Sequence, residues 1–285
     1  MRYDVISSRF CTEFKIKAVI VLHIVRGEKI NMIPKIIHYC WFGNGEKPEL
    51  AKKCIESWKK YCSDYELMEW NEQNFDISSA PLYVRQAYEN KKWAFITDYV
   101  RLYAMVNYGG VYMDTDVEVI KPIDEFLNNR AFSGFEDGIN IPTGIMASEK
   151  DFPLFKELLA YYDNIEFINQ DGTLNTVTNV TIITGICENK GLLKNNKFQI
   201  IDGFAIYPEE YFCPIDYESG KLKKTRDTYT IHWFAGSWRS REEQERMEKW
   251  RKIRKFDGII HLPNRVISGI LGKEKYEKLK RKIKK

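Results

Sequence analysis

Residues 93–119, WAFITDYVRLYAMVNYGGVYMDTDVEV, restrict the fold more than any other stretch. Residues 93–109 have helical spacing and end on Gly109, the usual C-terminal stop of a helix. The glycine pair then feeds a short apolar run, VYM at 111–113, which reads as a strand and ends on Asp114 and Asp116. VEVI (117–120) continues as an extended element, closed by Pro122. Upstream, KIIHYCW (35–41) is rich in β-formers and stops at Gly43, which marks a first strand. ELAKKCIESWKKYC (49–62) places Leu50, Cys54, Ile55 and Trp58 at helical spacing behind Pro48, and YELMEW (65–70) is a second strand. A β-α-β order needs a crossover helix and implies a parallel pair.

Downstream the pattern continues. PLYVRQAYENKK (81–92) precedes the long helix as another, AFSGF (131–135) and GIMAS (144–148) are strands, and FPLFKELLAYYDNI (152–165) is a helix. Residues 166–228 give no firm element. TYTIHWF (228–234) is a late strand, and SREEQERMEKWRKIRKF (240–256) a charged helix. With 285 residues, 44% of them hydrophobic and 14% aromatic, the chain can bury a large core and is not of disordered composition. The body is acidic and the end, KEKYEKLKRKIKK at 273–285, is basic, which does not suit a nucleic-acid binder. Six cysteines show no CxxC and no paired metal spacing, so free thiols in a reducing cytoplasm are expected. No apolar run has the ~20 residues needed to span a bilayer. The longest, AVIVLHIV (18–25), is followed by RGEK and not by a cleavage site of small residues. Residues 1–31 lack a strand–turn rhythm and precede Met32 and IPKIIHYCWFG, so they are expected to be a non-native extension. The expected divisions are 1–31, a catalytic domain at 32–258 and a basic tail at 259–285.

Asp114 and Asp116, read on an extended segment, point to one side and repel each other. A hard cation such as Mg²⁺ or Mn²⁺ relieves that repulsion; an exposed acidic turn is the competing reading. Asp98 and Arg101 share a helix face, either as a surface ion pair or as a carboxylate for sugar hydroxyls beside a guanidinium for phosphate. They share a stripe with Ala94 and Met105, which points to partial burial. His232 ends an apolar strand and opens HWFAGSW; it is either a metal ligand or a core histidine. Ser237 and the Trp238 indole N–H are candidate phosphate donors. Trp41 either stacks on a nucleobase or packs in the core, and Asn140 and Thr143 either contact sugar or cap a turn.

Together these motifs resemble glycosyltransferase family 32, the DXD-containing sugar transferases. That family includes the yeast initiating α-1,6-mannosyltransferase and bacterial capsule and lipopolysaccharide enzymes, and it is distantly similar to the catalytic domains of large glucosylating toxins. The resemblance spans about 32–240, carried by IPKIIHYCWFG, Asp98-x-x-Arg101, Gly-Gly-x-Tyr-x-Asp114-x-Asp116 and IHWFAGSW. It implies a GT-A fold: a Rossmann-like α/β/α sandwich with a mostly parallel sheet. By the resemblance, Trp41 lies near the base, and Asp98 and Arg101 hold donor sugar and diphosphate. Asp114 touches ribose or metal, Asp116 is the main metal ligand, His232 a late one, and Ser237 and Trp238 close on the leaving diphosphate. It further implies a retaining, Mn²⁺- or Mg²⁺-dependent hexosyl transfer from a UDP- or GDP-sugar to a glycan or lipid-linked acceptor, in surface polysaccharide synthesis.

The tail, VISGILGKEKYEKLKRKIKK, mixes apolar positions with dense lysine, which suits either an amphipathic helix on the anionic inner face of a cytoplasmic membrane or a solvated end. Two other function classes stand against the transferase. A haloacid dehalogenase-type phosphatase carries its DxD near the first strand, whereas here it lies past residue 110. A non-catalytic nucleotide-sugar-binding module has no need of the full metal and diphosphate set.

Overall fold

The computed structural model describes residues 33–216, 219–236 and 242. The strand–helix–strand opening is present as β1 (Ile36–Cys40), α1 (Glu49–Tyr61) and β2 (Glu66–Trp70). β1 and β2 pair in parallel, Ile36 opposite Glu66 through to Cys40 opposite Trp70. In α1, Ala51, Cys54, Ile55 and Trp58 are buried at helical spacing and the lysines face out. The buried Trp58 indole finds its partner in the Val117 carbonyl at 2.7 Å.

Two helices follow, α2 (Leu82–Glu89) and α3 (Trp93–Tyr108), and then β3 (Gly110–Met113). The glycine pair makes that passage possible. Gly109 (φ 68°) donates its N–H to the Met105 carbonyl, and a Cβ on it would meet Lys150 N at 2.6 Å. Gly110 (φ 103°) lies so close to β1 that a Cβ would meet the Ile36 carbonyl oxygen at 2.7 Å. Both positions need left-handed backbone and no side chain.

β4 (Val117–Val119), β5 (Ala131–Gly134), β6 (Ile145–Ser148) and α4 (Pro153–Tyr161) come next. The helix expected over 152–165 stops at Tyr161 and tightens into a 3₁₀ turn, Tyr162–Asn164. Residues 166–228, without a firm reading from sequence, hold α5 (Asn179–Asn189), β7 (Gln199–Ile201), β8 (Phe204–Tyr207) and the short α6 (Glu209–Phe212). The late strand is β9 (Thr230–His232).

The main sheet runs β2-β1-β3-β6-β5-β8-β7. β1, β2, β3, β5 and β8 point one way, while β6 and β7 are reversed. Alternate residues feed two apolar layers. Tyr112, Met146, Phe204 and Ile206 pack with α2 to α5, whereas Val111, Met113, Ile145 and Ala205 pack with α1, β4 and Phe212 of α6. This is the expected α/β/α sandwich. β4 leaves the main sheet and pairs antiparallel with β9, Val117 opposite His232.

The described residues fall into two compact units, 33–215 with 223–235, and 216–222 with 236 onward. Within the second, Asp216 closes a turn by accepting the Ser219 N–H and hydroxyl. The extension at 1–31, Ser237, Trp238, the helix expected at 240–256 and the basic tail lie outside the described residues, residue 242 apart. Cys40, Cys54, Cys62, Cys187 and Cys213 are free and buried. Among the described residues no helix is long and apolar enough to cross a membrane.

Candidate active site

Asp114 and Asp116 stand beyond the C-terminal end of β3, the edge where open α/β sheets bind ligands. They do not lie on extended strand, as the sequence reading had it. The Asp114 N–H donates to the Gly144 carbonyl (2.8 Å) and the Val117 N–H donates back to the Asp114 carbonyl (2.9 Å). The backbone therefore turns between β3 and β4, and this turn, not the two-residue strand repeat, brings the carboxylates together.

His232 arrives through the β4–β9 ladder. Pairing it with Val117 sets its imidazole beside Asp116, with Nε2 3.3 Å from Asp116 Oδ1. The Trp233 N–H donates to the Asp116 carbonyl (3.0 Å). Phe234 then takes a left-handed backbone (φ 49°) that an aromatic residue rarely adopts, and this reversal aims the Ala235 N–H at Asp116 Oδ2 (2.8 Å).

Behind this pair, Asp98 and Arg101 are buried on α3, with side chains 11% and 7% exposed, so they are not a surface ion pair. Arg101 Nη1 donates to both the carbonyl and the hydroxyl of Thr143, 2.7 Å each. Its Nη2 lies 3.3 Å from Asp98 Oδ1 and 3.4 Å from Asp114 Oδ1, and the guanidinium sits 4.8 Å from the centre of the Tyr112 ring. Tyr112 donates its hydroxyl to Asp114 Oδ1 (2.8 Å). Arg101 thus holds one half of the DXD from below, with its fork occupied on every side.

The electrostatics follow from this packing. Burial pushes the Asp98 carboxyl up to about 6, against the pull of Arg101. Burial opposes the Arg101 charge, yet Asp114, Tyr112 and Asp98 raise its pKa further. Burial also works against charge on Asp116 and His232, but each overcomes it through the other. The imidazolium and the Ala235 N–H hold Asp116 below the usual carboxylate range, and Asp116 raises His232 well above its ordinary value.

The ligand atoms of Asp114, Asp116 and His232 lie within 4.8 Å of one another. Two carboxylates and an imidazole are a donor set suited to Mg²⁺ or Mn²⁺. His232 Nδ1 is buried without a hydrogen-bond partner, a costly state that a bound group would relieve. The residues present therefore fit a divalent cation.

Trp41 follows β1 at the same edge of the sheet. It is half-buried, its indole donates to the Gly45 carbonyl (2.6 Å), and the Lys47 ammonium lies over its ring at 5.6 Å. Asn140 caps a turn: its N–H and side-chain amide both donate to Asp137. Sequence reasoning missed Tyr112 and Gly144. Tyr112 stood in the quoted Gly-Gly-x-Tyr-x-Asp spacing, two residues before Asp114. Gly144 gave no local signal, because its role is the space it leaves for His232 and Asp114 across the sheet.

Known proteins are similar to parts of this chain. A family profile described as "Glycosyltransferase sugar-binding region containing DXD motif" matches residues 48–133. Inositol phosphoceramide mannosyltransferase 3 of Schizosaccharomyces pombe is 28% identical over 145 residues, 48% of this chain and 39% of that protein. Inositol phosphoceramide mannosyltransferase 2 of the same yeast is 26% identical over 228 residues, 78% of this chain and 62% of that protein. The chain therefore spans less than two thirds of the length of either curated relative. A solved glycosyltransferase involved in glycosylating the major capsid of PBCV-1 aligns at 16% identity with a TM-score of 0.40, over 75% of this chain and 100% of that one. The matched region contains the helix of Asp98 and Arg101 and the turn of Asp114 and Asp116, so this part of the chain is similar to the sugar-binding region of DXD-containing glycosyltransferases.

Proposed function

We propose that the protein is a metal-dependent, retaining glycosyltransferase that moves a hexose from a UDP- or GDP-sugar to a glycan or lipid-linked acceptor. The observation that carries this reading is the meeting of Asp114, Asp116 and His232 within 4.8 Å, brought from two distant segments onto the ligand-binding edge of the sheet. The names of the yeast relatives, which are mannosyltransferases acting on a phosphoceramide, support a hexose donor and a lipid-linked acceptor. Surface polysaccharide assembly at the inner face of a cytoplasmic membrane, with the basic tail on the lipid surface, completes the proposal.

Asp114, Asp116 and His232 would hold Mn²⁺ or Mg²⁺. When bound, the cation neutralises charge developing on the leaving diphosphate. Arg101 orients Asp114 through its contact at 3.4 Å, and Asp98 offers a buried carboxylate to sugar hydroxyls. Trp41, at the end of β1, would cover the nucleobase, and Ser237 and Trp238 are proposed to close on the diphosphate.

The test is nucleotide release from a panel of UDP- and GDP-hexoses with Mn²⁺. Wild type is expected to turn over one of them, and both EDTA and Asp116→Asn to abolish that turnover. Full activity in either case overturns the metal assignment. Binding of a nucleotide-sugar with no turnover against any acceptor extract overturns the enzyme reading in favour of a binding module.

A further inference from the structure

The strand order marks out a crevice of which the cation cluster lines only one side. β1 lies between β2 and β3. The chain leaves β1 on one face, through α1, and reaches β3 on the other, through α2 and α3. Open α/β sheets bind ligands where the connections part in this way, outside the strand ends. Asp114 and Asp116 stand on the β3 side of that point. On the β1 and β2 side stand Trp41 to Gly43 and the turn that follows Trp70. Pairing continues into these loops, since the Trp41 N–H donates to the Trp70 carbonyl (2.8 Å).

Two polar groups here lack partners, and both border Gly43. The Glu72 carboxylate accepts the Gly43 N–H on Oε1 at 2.7 Å, while its Oε2 is buried with no donor among the described residues. The half-buried Trp93 indole also packs on Gly43: a Cβ there would lie 2.8 Å from Trp93 Nε1. That indole N–H meets no hydrogen-bond acceptor among the described residues. Gly43 itself has φ 91°, so backbone and packing both require glycine. One acceptor and one donor are thus held around a single glycine, two residues beyond Trp41. A carboxylate oxygen shielded from water without a donor is costly, and a bound ligand is one explanation for its retention. The spacing suits a nucleotide. Glu72 follows β2, two strands from β3, which is about 10 Å at the ordinary strand separation. A diphosphate at the DXD turn and a base over Trp41 bridge that gap through the ribose.

Building on the transferase reading above, we propose that Glu72 selects the nucleobase and, with Trp93, restricts the donor to GDP-hexoses. Guanine presents O6, N1–H and the N2 amino group in one row, an acceptor followed by two donors. The carboxylate takes the two donors on Oε2 and the second lone pair of Oε1, and the indole N–H meets O6. Uracil sets a single N–H between two carbonyl oxygens, which a carboxylate repels. Adenine and cytosine offer one amino group beside a bare ring nitrogen, which leaves the second carboxylate oxygen facing a lone pair. Guanine alone of the four satisfies both unused groups.

The test is calorimetry on the full chain with Mn²⁺ and GDP, inosine diphosphate or UDP. Inosine diphosphate keeps O6 and N1–H but lacks the 2-amino group. Wild type is expected to bind GDP about 10- to 100-fold more tightly than UDP, with inosine diphosphate between them. Glu72→Gln can keep the Gly43 bond through its carbonyl, but it turns an NH₂ group towards the base. Its GDP affinity is expected to fall to that of UDP, with UDP binding unchanged. UDP bound as tightly as GDP by wild type overturns the proposal and leaves the transferase reading intact with another base. Inosine diphosphate bound as tightly as GDP also overturns it, because the 2-amino group is then unread. So does a Glu72→Gln protein that keeps the wild-type preference for GDP. The wild-type comparisons decide the matter without the variant, should it fail to fold. A wild-type chain that binds none of the three and turns over no UDP- or GDP-hexose defeats the transferase reading, and this proposal with it.

Discussion

At the scale of single residues, Gly144 is the least replaceable position in the site. A Cβ there would lie 2.7 Å from His232 Cε1, 3.1 Å from His232 Nδ1 and 3.1 Å from Asp114 Oδ2. Gly144→Ala must therefore push the imidazole or the carboxylate out of place. Its affinity for Mn²⁺, followed by electron paramagnetic resonance of the free ion, is predicted to fall at least about tenfold. Gly185→Ala is the control, because nothing lies within 4 Å of its Cβ and α5 gains a better helix former. Arg101→Lys tests a different requirement. An ammonium cannot serve two carboxylates and bond Thr143 twice, so urea unfolding should show a loss of about 2–4 kcal/mol.

At the scale of elements, the passage from α3 to β3 is the most demanding join in the fold. Gly110→Ala combines a left-handed backbone with a clash against the Ile36 carbonyl, and should lower stability by about 2 kcal/mol. For a chain of this size that is a fall in Tm of about 4–8 °C, readable by circular dichroism. The glycines, the helix they end and the strand they begin were all legible in sequence, because each has a local cause. The opening β-α-β unit was legible for the same reason. α5 was not: NVTIITGICEN is rich in β-branched residues and holds a glycine, so its propensity points away from helix. It is helical because Ile183, Thr184 and Cys187 bury against the sheet and the Thr184 hydroxyl accepts the Ile141 N–H. The site divides in the same way. Asp98, Arg101, Asp114, Asp116 and His232 were singled out by residue type and spacing. The β4–β9 ladder that joins them was hidden, since antiparallel pairing across more than a hundred residues leaves no periodicity to read.

At the scale of the whole molecule, one buried group ties stability to acidity. His38 sits buried on β1 between β2 and β3, accepting from the Trp70 indole at Nδ1 (3.1 Å) and donating from Nε2 to the Gly109 carbonyl (2.9 Å). Burial lowers its pKa from the ordinary 6.5 to about 4, so the folded protein holds it neutral. A group depressed in this way stabilises the fold fully above pH 6.5, and that contribution fades as the pH falls towards 4. The loss amounts to about 3 kcal/mol from this residue. Urea titrations across pH 4–7 should show that slope in wild type and not in His38→Gln, which is less stable throughout. Equal slopes in the two proteins would remove His38 as the cause.

The β4–β9 ladder also has a consequence for the order in which a ribosome delivers the chain. The two aspartates emerge early, but the imidazole that pairs with Asp116 follows more than a hundred residues later, on the last described strand. A nascent or prematurely ended chain can build β1, α1, β2, α3 and β3 and still present Asp114 and Asp116 with no histidine opposite them. Under the proposed cation role, a fragment that ends before residue 232 lacks the third ligand, so the cluster is the last part of the site that synthesis completes.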